Sequence, residues 1–227
     1  MMKGKFEDWG TIDFDKAWEK QKHLFKLGIQ QRKTQNDLGF HDTLILCEHP
    51  HVYTLGRNAN INNLLLHEDE MKAKHINYIR IDRGGDITYH GPSQIVGYPI
   101  INLKNFGLYT KEYIHNIEEV IIRCLNEYNI KGIRLSNAPG VWLDGKHHGK
   151  TLKIASVGVR TSRFITMHGF ALNVNPDMSY YQHINPCGFK HEVMTSMETV
   201  TGKQINVTGV KSSLKQHFSG VFHLNFQ

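Results

Sequence analysis

Seven short apolar runs, most of them separated by turn-forming residues, confine this chain to a mixed α/β architecture. They lie at residues 43–47, 52–55, 78–81, 95–101, 140–143, 154–159 and 164–174. Residues 43–47 (Thr-Leu-Ile-Leu-Cys) have the continuous apolar character of a buried strand. Residues 78–81 alternate as a half-buried strand does, and Gly84-Gly85 supplies a turn after them. Helical spacing takes over at residues 14–31, where Phe14, Trp18, Phe25 and Ile29, with Leu24 beside them, approximate one stripe behind a capping Asp13. It returns at 113–128 through Ile114, Ile117, Ile121 and Leu125, and segments 192–200 and 207–218 read as two further helices. Regular βαβ alternation is missing, so the expectation is a mixed sheet flanked by helices rather than a doubly wound parallel sheet. A chain of 227 residues suits one domain spanning 1–227, with ample length for a core.

Composition narrows the class of function. Hydrophobic residues make up 40% and charged residues 21%, the balance of a soluble globular protein, with no repeat and no low-complexity tract. The amino-terminal MMKGKFEDWG lacks the apolar core of a secretory signal, and no stretch approaches the ~18 apolar residues of a membrane span. A cytoplasmic location is expected. The three cysteines, Cys47, Cys124 and Cys187, are too few and too scattered for a disulfide framework or a zinc ribbon, so free thiols are expected. The net charge of +6 suits nucleic acid, membrane or an acidic protein. No cluster has the form of a nucleic-acid footprint, and the basic stretch 146–153 reads as a solvated loop.

Four segments concentrate chemistry. Arg83, Gly84, Gly85, Asp86, Ile87, Thr88, Tyr89 and His90 run on through Gly91-Pro92-Ser93-Gln94, with glycines that let backbone approach a ligand closely. A tight hairpin with a polar tip is the plain alternative. The glycine spacing fits neither a Walker loop nor GxGxxG. In the second segment, Lys153 enters an apolar strand ahead of Ser156, Val157 and Gly158. Such a lysine needs a partner or a place at the strand edge. The third is His168, Gly169, Phe170, Ala171, Leu172, Asn173. The fourth is Asn185-Pro186-Cys187-Gly188, where the cysteine sits in a turn. Cys47 and Cys124 fall in aliphatic and helical runs, where core thiols usually sit. Of the three, Cys187 is the one placed to react.

Together, RGGDITYHGPSQ, KIASVGVR, HGFALNVN and NPCG resemble the lipoyl(octanoyl) transferase family, in that order and at similar spacing. Glu48-His49-Pro50, Thr54-Leu55-Gly56-Arg57 and Ala138-Pro139-Gly140-Val141-Trp142 add to the resemblance, which covers roughly residues 40 to 200. It implies the fold shared by biotin and lipoate protein ligases. It also implies transfer of octanoyl from acyl carrier protein to a lysine of a lipoyl domain or of glycine-cleavage H protein, with no cofactor, nucleic acid or membrane involved. Ser93 departs from the family's usual glycine, and residues 144–152 are longer than usual. No metal site is expected: His147-His148 point apart on an extended chain, and His49 with His51 lacks a third ligand.

The implied chemistry explains the residue types. A cysteine accepts an acyl group from a thioester almost isoenergetically and keeps it activated for attack by an amine. A free thiol is only a few per cent thiolate near neutrality, so a neighbouring ammonium is needed, and Lys153 is assigned that role. A partly buried lysine could then relay a proton from the incoming amine. Backbone donors for the developing oxyanion are expected around Ser156, Val157 and Gly158 and around Gly169, Phe170 and Ala171, with residues 83–90 lining the same cleft. His90 is either catalytic or a structural hydrogen-bonding residue. The rival readings are an ATP-dependent lipoate or biotin ligase on the same fold, a non-catalytic carrier-binding module, and a cysteine hydrolase. The ligase-type SGGGxV loop and a clear Cys–His–Asn order are both missing from the sequence.

Overall fold

The computed structural model describes residues 2–73, 76–145, 150–185 and 194–227. The first half of the chain runs β1 (Met2–Thr11), α1 (Phe14–Thr34), β2 (Thr43–Glu48), β3 (Val52–Leu55), α2 (Glu68–Ala73), β4 (Asn77–Arg80), β5 (Ile87–His90) and β6 (Gln94–Ile100). The second half runs α3 (Thr110–Glu127), β7 (Gly132–Leu135), β8 (Ala138–Leu143), β9 (Leu152–Ser162), β10 (Ile165–Asn173), α4 (Met197–Thr201), α5 (Val207–Phe222) and β11 (Leu224–Phe226).

Among the described residues, eight strands form one sheet in the order β11-β1-β2-β6-β10-β9-β8-β7, and β4-β3-β5 form a smaller one. The pairs β1–β11, β1–β2 and β3–β4 are parallel and the others antiparallel, so the sheets are mixed as expected. No described helix is long and apolar enough to cross a membrane.

The period of two in β2 sets the layers. Leu44 and Leu46 join a core with Ile117 and Ile121 of α3 and Leu214 and Phe218 of α5. Ile45 and Cys47 point the other way, onto Ala17 and Phe25 of α1. Each such fully buried aliphatic side chain contributes roughly 1.5–3 kcal/mol, which makes these two layers the main support of the large sheet. The small sheet has its own apolar face, where Tyr53, Leu55, Ile87 and Tyr89 meet Tyr181 and Ile184. Its opposite face carries Thr54, Thr88 and His90, all buried.

Several elements differ from the sequence reading. Residues 87–90 form a strand inside what reads as a loop, because Ile87 and Tyr89 find a core on one side. β1, β7 and β11 carry too few apolar residues to announce themselves, and pairing with neighbours defines them. The helix expected over 192–200 is only Met197–Thr201, started by Ser196, whose hydroxyl accepts from Thr199 N at 3.1 Å. Residues 192 and 193 lie outside the described residues. Asp13 stands at the N-cap of α1, but its carboxylate pairs with Lys16 at 2.8 Å instead of capping.

Candidate active site

A cavity of ≈ 540 Å³ lies where the uncovered face of the small sheet meets β9 and β10. Arg83, Gly84, Gly85, Asp86, Ile87, Thr88 and His90 form one wall; Lys153, Ser156, Val157 and Gly158 of β9 and Gly169, Phe170 and Ala171 of β10 form another. Phe14, Val96, Tyr98, Ile114, Trp142 and Met194 give the lining its apolar character. Of the sequence-selected lining residues, Tyr89 alone turns away. It follows the β5 pleat into the aromatic core, 5.8 Å from Tyr53 between ring centroids.

Glycines allow the first wall to lie against β9. Gly84 N donates to Val159 O at 3.0 Å, and a Cβ on Gly158 would stand 3.0 Å from Gly84 O. On the other side, a Cβ on Gly56 would come within 2.3 Å of Gly85 O. Arg83 is buried between them and donates through Nη2 to Thr54 O at 2.8 Å and Thr54 Oγ1 at 3.1 Å. Asp82, just before it, is held by His168 Nε2 at 2.8 Å and by Arg160. His168 takes a φ of +62°, and its backbone N–H donates to Gln21 Oε1 of α1 at 3.1 Å. The loop is therefore tied to both neighbouring strands of the large sheet and, through one of them, to a helix.

His90 is buried in the cavity wall. Its Nδ1–H donates to Gln94 Oε1 at 2.7 Å, and Nε2 faces Thr54 Oγ1 at 3.4 Å. Burial, with His49 and Arg83 nearby, pushes its pKa down to about 3. A neutral ring with protein partners at both nitrogens has the geometry of an organising residue. His49 is similar: Nδ1 bonds Ile12 O and Nε2 bonds Tyr98 OH, each at 2.7 Å, and burial brings its pKa to about 4. His51 bonds Tyr89 OH at 2.8 Å. No group of three metal-ligating side chains occurs among the described residues, and His147 and His148 lie outside them.

Ser93 adopts a φ of +61°, a backbone conformation that favours glycine. Glu48 holds it there by accepting from Ser93 N at 2.9 Å. Phe170 and Ala171 are paired by β6 on one side and β9 on the other, so their amides are engaged in ladders.

Cys47 and Cys124 are fully buried, and burial pushes the Cys124 thiol up to about 12 and that of Cys47 higher still. Neither can supply a thiolate near neutrality. Cys187 lies outside the described residues, within 186–193. One described end of that stretch, Met194, lines the cavity, and the other is tied to its wall through Asn63. Asn185 N donates to Asn63 O at 2.8 Å, and Asn63 Nδ2 donates to Asp86 Oδ2 at 2.7 Å. At the other end, Met194 bridges Lys153, and Thr195 N donates to Lys153 O at 2.9 Å.

The family model described as the lipoyl protein ligase A/B catalytic domain matches residues 16–219. An octanoyltransferase of Bacteroides fragilis (strain YCH46) is 46% identical over 213 residues, covering 94% of this chain and 95% of that protein. The chain belongs to the octanoyltransferase family. Members are acyltransferases, and this chain is an enzyme of that class. An octanoyltransferase of Cytophaga hutchinsonii is 41% identical, covering 97% of this chain and 93% of that one. Among solved structures, lipoate-protein ligase A bound with ATP superposes with a TM-score of 0.73 at 14% identity, covering 100% of this chain and 88% of that one. Biotin protein ligase from Aquifex aeolicus gives 0.52 at 12% identity, covering 98% and 70%. These likenesses establish the biotin and lipoate ligase fold.

Proposed function

We propose that this octanoyltransferase family member moves an octanoyl group from acyl carrier protein, through a thioester on Cys187, to the lysine amine of a lipoyl domain or glycine-cleavage H protein. The observation that carries the reading is convergence. Lys153 and Met194, which follows the segment containing Cys187, line one largely apolar cavity with room for an acyl chain, and Asn185 before that segment is tied through Asn63 to Asp86 of the same wall. The Cys187 thiolate attacks the donor's thioester carbonyl, its carbonyl oxygen takes up negative charge, and the carrier's thiol leaves with the proton of the Lys153 ammonium, which becomes a neutral amine. The acceptor amine then attacks the new thioester. Lys153 accepts a proton from that amine, and Cys187 leaves as thiolate. No ATP is consumed, because the first step exchanges one thioester for another and the second converts a thioester to a more stable amide.

Incubation with octanoyl-carrier protein is expected to add one octanoyl group to the intact mass. Peptide mapping should place it at Cys187, and hydroxylamine should remove it. An adduct on Cys47 or Cys124, or none on active protein, would overturn the assignment. Product formed only from free lipoate and ATP would point instead to ligase chemistry.

A further inference from the structure

The motif Ala138-Pro139-Gly140-Val141-Trp142 has no part in the mechanism above, yet it lies directly against Lys153. The register of β8 on β9 shifts between Val141 and Trp142, which puts Trp142 opposite Lys153. Its indole Nε1–H donates to Ala138 O at 3.0 Å, fixing the ring, and the Lys153 ammonium stands 4.9 Å from the ring centroid. Gly140, with a φ of +128°, leaves the space the lysine stem occupies, since a Cβ there would meet Lys153 Cε at 2.6 Å. Gly140 in turn is held by Glu118 of α3, whose buried Oε1 accepts from Gly140 N at 2.8 Å.

We infer that Trp142 is a positioning residue whose indole face, set opposite Lys153 by the strand bulge and locked by Ala138, fixes where the Lys153 ammonium stands in the cavity. An ammonium over an indole face is attracted by the ring quadrupole, most strongly where water is excluded. Trp142 is nearly fully buried and Lys153 is partly buried beside it on the cavity wall, so the contact is partly shielded from water. The long, flexible lysine side chain is thereby held to a small range of positions. The glycine and the buried glutamate serve the same end by keeping the ring and the stem in register. This inference rests on the proposed role of Lys153.

The test combines Trp142→Phe and Trp142→Leu with and without Lys153→Ala, reading the rate of Cys187 alkylation by iodoacetamide together with kcat and KM for transfer. Trp142→Leu is expected to slow both alkylation and kcat on the order of tenfold, with KM little changed, and Trp142→Phe to restore most of the loss. In the Lys153→Ala background, Trp142→Leu should change alkylation no further. Equal losses from Leu with or without the lysine would show a merely structural tryptophan and overturn the inference. A clear Lys153→Ala effect with Trp142→Leu indistinguishable from the parent would overturn it while sparing the role of Lys153. Lys153→Ala behaving like the parent would remove that role, and the platform with it.

Discussion

Replacing Lys153 with Ala is expected to reduce octanoyl transfer by about 10²–10⁴-fold, the usual scale for losing a positioned general base. The same change should raise the apparent pKa of Cys187, read from the pH dependence of iodoacetamide alkylation, because a nearby ammonium is lost. Each unit of that rise corresponds to ~1.4 kcal/mol of lost preference for the thiolate. Lys153→Arg keeps the charge but supplies no usable base, so it should retain part of the acylation while failing in transfer to the acceptor amine. An unchanged alkylation profile in a folded Lys153→Ala protein would remove the lysine from thiol activation. His90 offers no ready substitute as a charge partner, being buried, neutral and bonded at Nδ1 to Gln94.

Acid should unfold the protein steeply. His49 and His90 lie 5.8 Å apart under Phe14, whose ring is 5.2 Å and 5.9 Å from theirs. Burial brings their pKa values to about 4 and about 3. In the unfolded chain both return to ~6.5. Between those values the unfolded state binds more protons than the folded one, so stability is full above pH ~6.5 and falls as pH drops toward 4. Each histidine contributes a slope of about 1.4 kcal/mol per pH unit in that window, and the pair about 3. Asp82, held low chiefly by its hydrogen bond from His168, adds to the acid loss below the ordinary carboxylate value; Asp42, raised by burial, offsets part of the histidine loss just above that value. Urea unfolding from pH 7 to 4 measures the slope. His168 and His51, also held below the ordinary value by burial, add to the slope. His49→Gln should therefore flatten it by no more than its own share of about 1.4 kcal/mol per pH unit. A stability independent of pH across this window would show that the rings are not buried as neutral groups.

Much of this fold was legible because its strands are buried on both faces. Residues 43–47 and 52–55 announce themselves by continuous apolar character, and the structure extends the first only to Glu48 and leaves the second unchanged. Edge elements were not legible: β1 and β11 satisfy their backbone groups through neighbours, which leaves little trace in side-chain pattern. The site was legible as motifs, since glycines that permit close backbone approach and a lysine inside a strand are unusual choices. Their supports were not. Gln21 sits on the buried stripe of α1 as a polar residue that helical spacing gives no reason to single out, yet it bonds the backbone of His168. Glu118 is a second such case: its carboxylate ties α3 to Gly140 across 22 residues. Trp142 was visible within a motif, but its place opposite Lys153 depends on a bulge that only pairing reveals.

Whether Cys187 carries the acyl group between two partners is decided by a chase of the isolated intermediate. The octanoyl-enzyme would be prepared with octanoyl-carrier protein, freed of donor, and mixed with a lipoyl domain in the absence of ATP. Octanoyl is expected to leave Cys187 and appear on the acceptor lysine in equal amounts, at a rate no slower than overall turnover. Octanoyl that stays on the enzyme, or is lost to water while the complete system with donor still turns over, would contradict it.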